Sequence, residues 1–557
     1  MIIAVVGCTH GELNFIYATI EKLEYDNNFK VDLLICCGDF ECVRYGVDND
    51  CMNVPNKYKK EENDFKDYFT GKRKARVLTI FIGGNHEAVN VLKQLYYGGW
   101  VAPNIYFLGY SNIHNINDLR ICSLSGIYKK YNFYKRYNEH YPYDDISKVS
   151  SYHIRKYELE KLKLLKEKVD IVVTHDWPNN IEKHGDMHDL LRRKFHFQSD
   201  IYNNTLGNPH TEFLLNKLKP YFWFSSHLHV KYSAIYLHGD QKSYTRFLSL
   251  DKAEPRKNFI QILNIEKRNN VPYLSFDHLS RSYTHYPYGR SSYFNEDYEE
   301  LLQHVEDVQR KDAEDGTEGH SGGKGQEKSY QGSESTPKEN ATEDATPKHN
   351  TTEETTPKDN NAVESATKQI SPQKSPSRRG SSAERKQLYI CYDEEWLAIL
   401  KANHHLISES SDKDYNLEQL TYPSKEDFEY IKEKLEKLEK ISIKGKDYYL
   451  VHGHNNPSYK NLGEQRQVFL NRFDFEELGI YDDYERTFFA EEAQKMQAGL
   501  PLDPPKLAKH QKGGKEGEQE EPGQNNQTDE HGEGNPNGNN ASHSGNDPNE
   551  ISPSTDC

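Results

Sequence analysis

The chain predicts an α/β fold followed by a smaller folded unit, with long segments that do not pack. Three observations predict it. Short apolar runs rich in β-branched residues recur through the first half, and each ends in a glycine or small polar residue followed by a side chain that can bind metal or move a proton. Charged amphipathic stretches separate several of these runs, the alternation expected of a sheet with crossing helices. Beyond about residue 285 the apolar runs give way to a polar composition rich in Ser, Thr, Glu and Asn, which cannot bury enough surface to fold.

Residues 2–6 are continuously apolar, as in a strand buried on both faces, and lead into Gly7-Cys8-Thr9-His10-Gly11-Glu12. Cys8 and His10 are two apart and face the same side of an extended segment. A thiolate and an imidazole so placed can share a metal, although a buried Cys beside a turn His is the plainer account. Residues 31–37 form the second run and end in Gly38-Asp39-Phe40. An Asp after Gly is common turn chemistry, but a carboxylate can also bridge two cations. Residues 41–75 read as a loop with a short helix.

Residues 76–82 are the third strand and run into Gly83-Gly84-Asn85-His86-Glu87, with a helix expected over 88–97. The glycines allow a sharp turn. The turn puts Asn85 and His86 at the carboxyl end of a buried strand, where open α/β sheets keep their ligand sites. An amide oxygen can bind a metal, and an imidazole can bind one or carry a proton. Further strands are expected at 105–107 and 120–124, and a charged helix over 156–168 with Leu159, Leu162 and Leu165 on one face. Residues 169–173 form the next strand, ending in Thr174-His175-Asp176-Trp177-Pro178. A helix follows at 209–218. A strand at 221–224 ends in Ser225-Ser226-His227-Leu228-His229, whose two imidazoles repeat the i, i+2 spacing of Cys8 and His10. Strands continue at 232–237, 244–248 and 259–265.

Between the strand at 120–124 and the charged helix, residues 126–156 interleave aromatics and cations, among them Tyr128, Lys129, Lys130, Tyr134, Arg136, His153 and Arg155. Rings that stack on bases beside cations that meet phosphates suit single-stranded nucleic acid, and an ordinary amphipathic surface loop is the alternative. Charge is unevenly spread. Over residues 1–280, 38 Lys and Arg face 33 Asp and Glu, whereas over the rest 33 face 54. The mildly basic first half suits a polyanionic substrate. The eight cysteines show no C-x-x-C pair, so reduced thiols in an intracellular protein are expected. The first residues lack a basic stretch and read as a strand, not a signal peptide. No apolar run approaches the ~18 residues that cross a bilayer, so no membrane association is expected.

Thr336-Pro337-Lys338, Thr346-Pro347-Lys348 and Thr356-Pro357-Lys358 recur in a polar background, and residues 281–387 read as a disordered low-complexity insertion. The small basic cluster at 374–379 is either an import signal or an inert linker. Apolar content returns at Leu388. Ser424-Lys425-Glu426-Asp427 is a capping box, and Phe428, Ile431, Leu435 and Leu438 line one helical face behind it. Residues 388–485 are thus expected to form a smaller C-terminal domain, and 503–557 a disordered acidic tail.

Five strand ends now carry Cys8/His10, Asp39, Asn85/His86, His175 and His227/His229. In this order they resemble the calcineurin-like metallophosphoesterases, whose pattern is D-x-H, G-D, G-N-H-[DE], H and G-H-x-H. Cys8 stands where most of that superfamily has Asp, and Ser226 where Gly is usual. With Gly7-Cys8-Thr9-His10-Gly11-Glu12-Leu13, Ser125-Gly126-Ile127-Tyr128-Lys129, Ser226-His227-Leu228-His229-Val230-Lys231 and Thr245-Arg246-Phe247-Leu248-Ser249-Leu250-Asp251-Lys252, the match narrows to RNA lariat debranching enzymes. Tyr152-His153-Ile154-Arg155 is similar to that family too. The resemblance covers residues 1 to about 280 and resumes from Tyr392 to about Ile480. Asn14 departs from the Asp expected after Gly-Glu-Leu.

The resemblance implies an αββα sandwich over residues 1–280, with an RNA-recognition loop at 126–156. It implies two divalent cations, iron(II), zinc or manganese. Asp39 would bridge them. Asn85, His175 and His227 would hold one, and His10 and His229 the other, with Cys8 as a weak or absent further ligand. His86 would protonate the leaving 2′-oxygen, and Glu87 would orient His86. Tyr128, Lys129, Lys130, Tyr134 and Arg136 would contact branched RNA. The implied activity is hydrolysis of the 2′,5′-phosphodiester of intron lariats in the nucleus, with splicing-associated proteins as partners of the C-terminal domain. The competing expectations are another metallophosphoesterase, such as a protein phosphatase, a cyclic-nucleotide phosphodiesterase or a DNA nuclease, and a non-catalytic scaffold on the same fold.

Overall fold

Two mixed sheets stack face to face, and the strand ends singled out above meet at one rim of the stack. The structure, a computed structural model, describes residues 1–55, 59, 63–239, 243–265, 384–408, 419–454 and 459–478. The low-complexity insertion, except its last four residues, and the acidic tail lie outside them.

The first sheet has the order β12-β1-β2-β3-β5-β4, built from β1 (Ile2–Val6), β2 (Leu33–Cys36), β3 (Leu78–Phe81), β4 (Gly99–Ala102), β5 (Ile105–Phe107) and β12 (Ile260–Asn264). Strands β1, β2, β3 and β5 run parallel, and β12 and β4 close the edges antiparallel. The second sheet has the order β10-β11-β9-β8-β7-β6-β13, from β6 (Ser111–Ile116), β7 (Leu119–Leu124), β8 (Ile171–Thr174), β9 (Phe222–Ser225), β10 (Tyr232–Leu237), β11 (Tyr244–Ser249) and β13 (Ile390–Tyr392). Its centre, β7-β8-β9-β11, is parallel.

The unbroken apolar runs have a simple cause: both faces of the first sheet are covered. Along β1, Ile3 and Val5 enter the core between the sheets, while Ala4 and Val6 enter a second core beneath the outer helices. Leu33 and Ile35 against Leu34 and Cys36 repeat that alternation on β2. The helix Leu13–Asn27 supplies Leu13, Ile16 and Ile20 to the outer core. The expected helix at 209–218 is Pro209–Leu218, with Pro at its first turn and Asn208 as cap. The helix expected over 156–168 stops earlier, as Lys156–Lys163, and that over 88–97 is shortened to Val89–Gln94.

The described C-terminal residues, 384–408, 419–454 and 459–478, belong to the same compact unit as residues 1–265. Strand β13 pairs antiparallel with β6 and extends the second sheet. The Arg120 guanidinium is gripped by Asp393 at 2.7 Å and Glu395 at 2.8 Å, all three buried. Trp396, Leu397, Phe469 and Phe473 continue the inter-sheet core. The anticipated capping box is present: Ser424 and Asp427 exchange hydrogen bonds at the start of the helix Lys425–Glu436. No helix among the described residues is long and apolar enough to cross a membrane.

Candidate metal centre

The site lies where β1, β2 and β3 of one sheet and β8 and β9 of the other end. After β1, β2 and β9 the chain turns away at residues with left-handed backbone: His10 (φ 46°), Asp39 (48°), His227 (62°) and His229 (46°). Such conformations cost non-glycine residues of order 1–3 kcal/mol and cluster where a site dictates geometry. Two glycines make the convergence possible. A Cβ on Gly38, at φ 110°, would stand 2.2 Å from the His175 ring, and one on Gly84 2.1 Å from Asp39 Oδ1.

Asp39 is the centre. Its Oδ1 is 3.3 Å from His175 Nε2 and accepts the His86 backbone N–H at 2.9 Å. Its Oδ2 points toward His10 Nε2 at 3.7 Å and, though buried, has no hydrogen-bond donor. Around it, atoms able to bind a metal face one another. His175 Nδ1 lies 2.7 Å from the Cys37 carbonyl, which a ring N–H must fill, so Nε2 is left pointing at Asp39 Oδ1 and at Asn85 Oδ1, 3.2 Å away. His10 Nδ1 is likewise taken by Glu41 Oε1 at 3.1 Å, leaving His10 Nε2 against His229 Nε2 at 3.3 Å. Ligand atoms of Cys8, His10, Asp39 and His229 all lie within 4.8 Å of one another. The His227 ring is 5.0 Å from that of His175, and its Nε2 is 3.9 Å from Asp176 Oδ1. An orphaned carboxylate oxygen amid converging imidazole nitrogens, an amide oxygen and a thiol fits divalent cations.

The electrostatics follow. Burial pushes the Asp39 carboxyl up, but the facing His175, His86 and His10 outweigh it and hold it well below the usual carboxylate range. Burial lowers His227 to about 3, with His175 adding to the effect, and lowers His229 to about 2, with His10 adding. Both rings are therefore neutral at ordinary pH, the form that binds metal. Burial and then Asp39 push the Cys8 thiol well up. Its sulfur is 3.4 Å from Ser226 Oγ and accepts the His227 backbone N–H at 3.3 Å.

His86 is half-buried, its ring 5.5 Å from that of His10. Glu87 does something other than the orienting job expected of it. Its Oε1 accepts the N–H groups of Phe40 (2.8 Å) and Gly84 (2.9 Å), and its Oε2 that of Glu41 (2.9 Å). It therefore staples the turn after β3 to the turn after β2, and so fixes Asn85 and His86 relative to Asp39.

Two of the five expected RNA contacts adjoin the site. The Tyr128 N–H donates to Asp176 Oδ2 at 2.7 Å, and the charge of Lys129 is felt at His227 and Asp176. Lys130 and Tyr134 are exposed and Arg136 half-buried, further along the segment. Arg155 is buried: it binds Glu139 at 2.6 Å beneath the Tyr137 ring and holds the loop together. Sequence reasoning missed Glu41, Asp176 and Ser226.

Residues 1–231 match the family described as calcineurin-like phosphoesterase, and residues 363–533 that described as lariat debranching enzyme, C-terminal domain. The first match and the rim of candidate ligands agree on a class: residues 1–231 are similar to calcineurin-like metallophosphoesterases, a family whose chemistry implies divalent metal ions. The particular likeness is to lariat debranching enzymes. The chain is 48% identical over 276 residues to lariat debranching enzyme A of Xenopus laevis, covering 49% of this chain and 52% of that one. It is 48% identical over 266 residues to the lariat debranching enzyme of Arabidopsis thaliana, covering 48% and 63%. To that of Homo sapiens it is 47% identical over 283 residues, covering 50% and 52%. These matches span between half and two thirds of the relatives' own lengths.

Proposed function

We propose that the chain hydrolyses the 2′,5′-phosphodiester at the branch point of excised intron lariats, leaving a 2′-hydroxyl and a 5′-phosphate. The observation that carries the reading is the convergence on Asp39, whose buried and unpartnered Oδ2 faces His10 while its Oδ1 faces His175. The relatives' name and the separate C-terminal match supply the substrate class.

In this reading Asp39 would serve two sites. Asn85, His175 and His227 would hold one cation, and His10 and His229 the other, with Cys8 beside it. Sulfur in that half favours iron(II) or zinc over magnesium. When bound, two cations supply a water of lowered pKa and positive charge for the attacking and leaving oxygens. The protein's own groups do the rest. Glu87 holds the two turns in register. His86, at the mouth, gives its proton to the departing 2′-oxygen, a role worth ~10²–10⁴-fold. Tyr128 and Lys129 border the Asn85/His175/His227 half, ring toward a base and ammonium toward a phosphate. A nuclear location and splicing-associated partners for the C-terminal stretch belong to the same proposal.

Synthetic branched RNA offered with iron, zinc or manganese tests it. Release of the 2′ arm with a 5′-phosphate is the expected product. Inert branched RNA alongside cleavage of a phosphoprotein, a cyclic nucleotide or a linear 3′,5′ strand would assign the site to another phosphoester.

A further inference from the structure

The Tyr128–Lys129 segment flanks only one half of the centre, whereas a branch point sends out three strands. The other half, at His10 and His229, opens onto a second surface of similar chemistry. Lys252 adjoins it: its charge is felt at His229, and the Ala253 N–H donates to the Cys8 carbonyl at 2.8 Å. Lys231 follows His229 by two residues, and its carbonyl accepts the Arg193 guanidinium at 2.8 Å. The helix Met187–Arg193 thereby sits at the edge of the site. Just beyond its end stand Lys194, whose charge reaches the Asp251 carboxyl next to Lys252, and Phe195, which is 75% exposed.

Phe195 thus holds a phenyl ring largely in solvent next to these cations. Carboxylates are present, but they serve to aim the cations. Asp189 takes Arg192 at 2.6 Å and Arg193 at 2.7 Å, which fixes both guanidinium groups on the face of the helix, and Glu254 takes Lys252 at 2.6 Å. Asp186, which caps the helix, and Asp251 lie on the same surface, and Lys231 Nζ is held by Gln261 at 2.9 Å; Arg192, Arg193, Lys194, Lys231 and Lys252 still outnumber the four carboxylates. Aligned cations ending in an exposed ring match one occupant: a single-stranded polyanion whose bases can stack.

We propose that this track, from Lys252 past Lys231 and Arg193 to Phe195, binds a second arm of the branched RNA, on the opposite side of the centre from Tyr128 and Lys129. It rests on the proposed debranching reading. The phosphates run along the cations, and a base a few nucleotides from the branch stacks on Phe195.

The test is steady-state cleavage of a set of synthetic branched RNAs, one with all three arms long and three with one arm each cut to a single nucleotide. Phe195→Ala and Arg192→Ala are both surface changes, checked for folding by thermal melting. Expected for Phe195→Ala is a KM raised roughly five- to hundred-fold at unchanged kcat on the full RNA, the range of one lost stack. No change is expected on the one RNA whose corresponding arm is missing, and Phe195→Trp should restore the original KM. An unaltered KM on every RNA, or the same loss on all four, overturns the track and leaves the debranching reading standing. Failure of the original chain to cleave any of the four overturns that reading itself.

Discussion

The two halves of the proposed centre differ in what braces the imidazole nearest Asp39. In the half of Asn85, His175 and His227, the partners of His175 Nδ1 are neutral, the Cys37 carbonyl at 2.7 Å and the Ser226 hydroxyl at 3.1 Å, and the Asp176 carboxylate stands 3.9 Å from His227 Nε2. In the half of Cys8, His10 and His229 the brace is a carboxylate, Glu41, on His10 Nδ1 at 3.1 Å. The first half draws on oxygen donors, Asn85 beside Asp39. The second has a thiol where a carboxylate is usual, and burial, then Asp39, push that thiol well up. The difference teaches where charge goes when a ligand changes. A carboxylate absent next to the cation returns one bond further out, where it makes the imidazole a stronger donor.

Substitutions can break or sharpen this contrast. Asp39→Asn removes the one group common to both halves. Metal content should fall in both together, and turnover should drop by more than the ~10²–10⁴-fold ascribed to any single acid–base group. Retention of one cation at full affinity would show that the halves do not share Asp39. His86→Ala touches neither ligand set. It should cost ~10²–10⁴-fold in kcat with RNA binding and metal content intact, because its contribution belongs to the transition state. Equal losses in kcat and RNA affinity would deny it that role.

Gly84→Ala acts on the oxygen-rich half. Its Cβ, 2.1 Å from Asp39 Oδ1 and 2.8 Å from His175 Cε1, must displace one of them. A shift of about 1 Å is worth ~10²-fold in rate. Weakened metal binding confined to the His10/His229 half would contradict the geometry. Glu41→Gln is the mildest. It keeps the shape and a hydrogen-bond acceptor but deletes the charge, and should weaken metal affinity ~10–100-fold in the His10/His229 half alone. Titration of the metal-free protein with cobalt(II), followed by its visible spectrum, separates one weakened site from two. Identical isotherms for variant and original chain would mean that Glu41 is only a structural prop.

The convergence of the candidate ligands was legible in the sequence because they follow apolar strands with a repeated grammar of strand, small residue and donor. Asp39, His175 and His229 are 190 residues apart at the extremes, yet parallel strands deliver all three to one rim. What stayed hidden depended on distant partners. Glu41 looked like any turn acid, since its imidazole partner is 31 positions earlier. Glu87 was assigned to its neighbour His86 by proximity in sequence, whereas its carboxylate serves amides 46 and 47 positions away. Strand β6, Ser-Asn-Ile-His-Asn-Ile, is polar enough to read as loop but is wholly buried. Asn112 caps the Tyr97 carbonyl, His114 meets the Tyr106 hydroxyl, and Asn115 binds Asp393. That last contact also explains how a C-terminal stretch that reads as separate becomes part of the second sheet.

Anomalous diffraction from crystals of the full chain grown with manganese tests the shared centre most directly. The account predicts two peaks about 3.5–4 Å apart, one on each oxygen of Asp39, with Asn85, His175 and His227 around the first and His10 and His229 around the second. A single peak, or two that do not share Asp39, would contradict it.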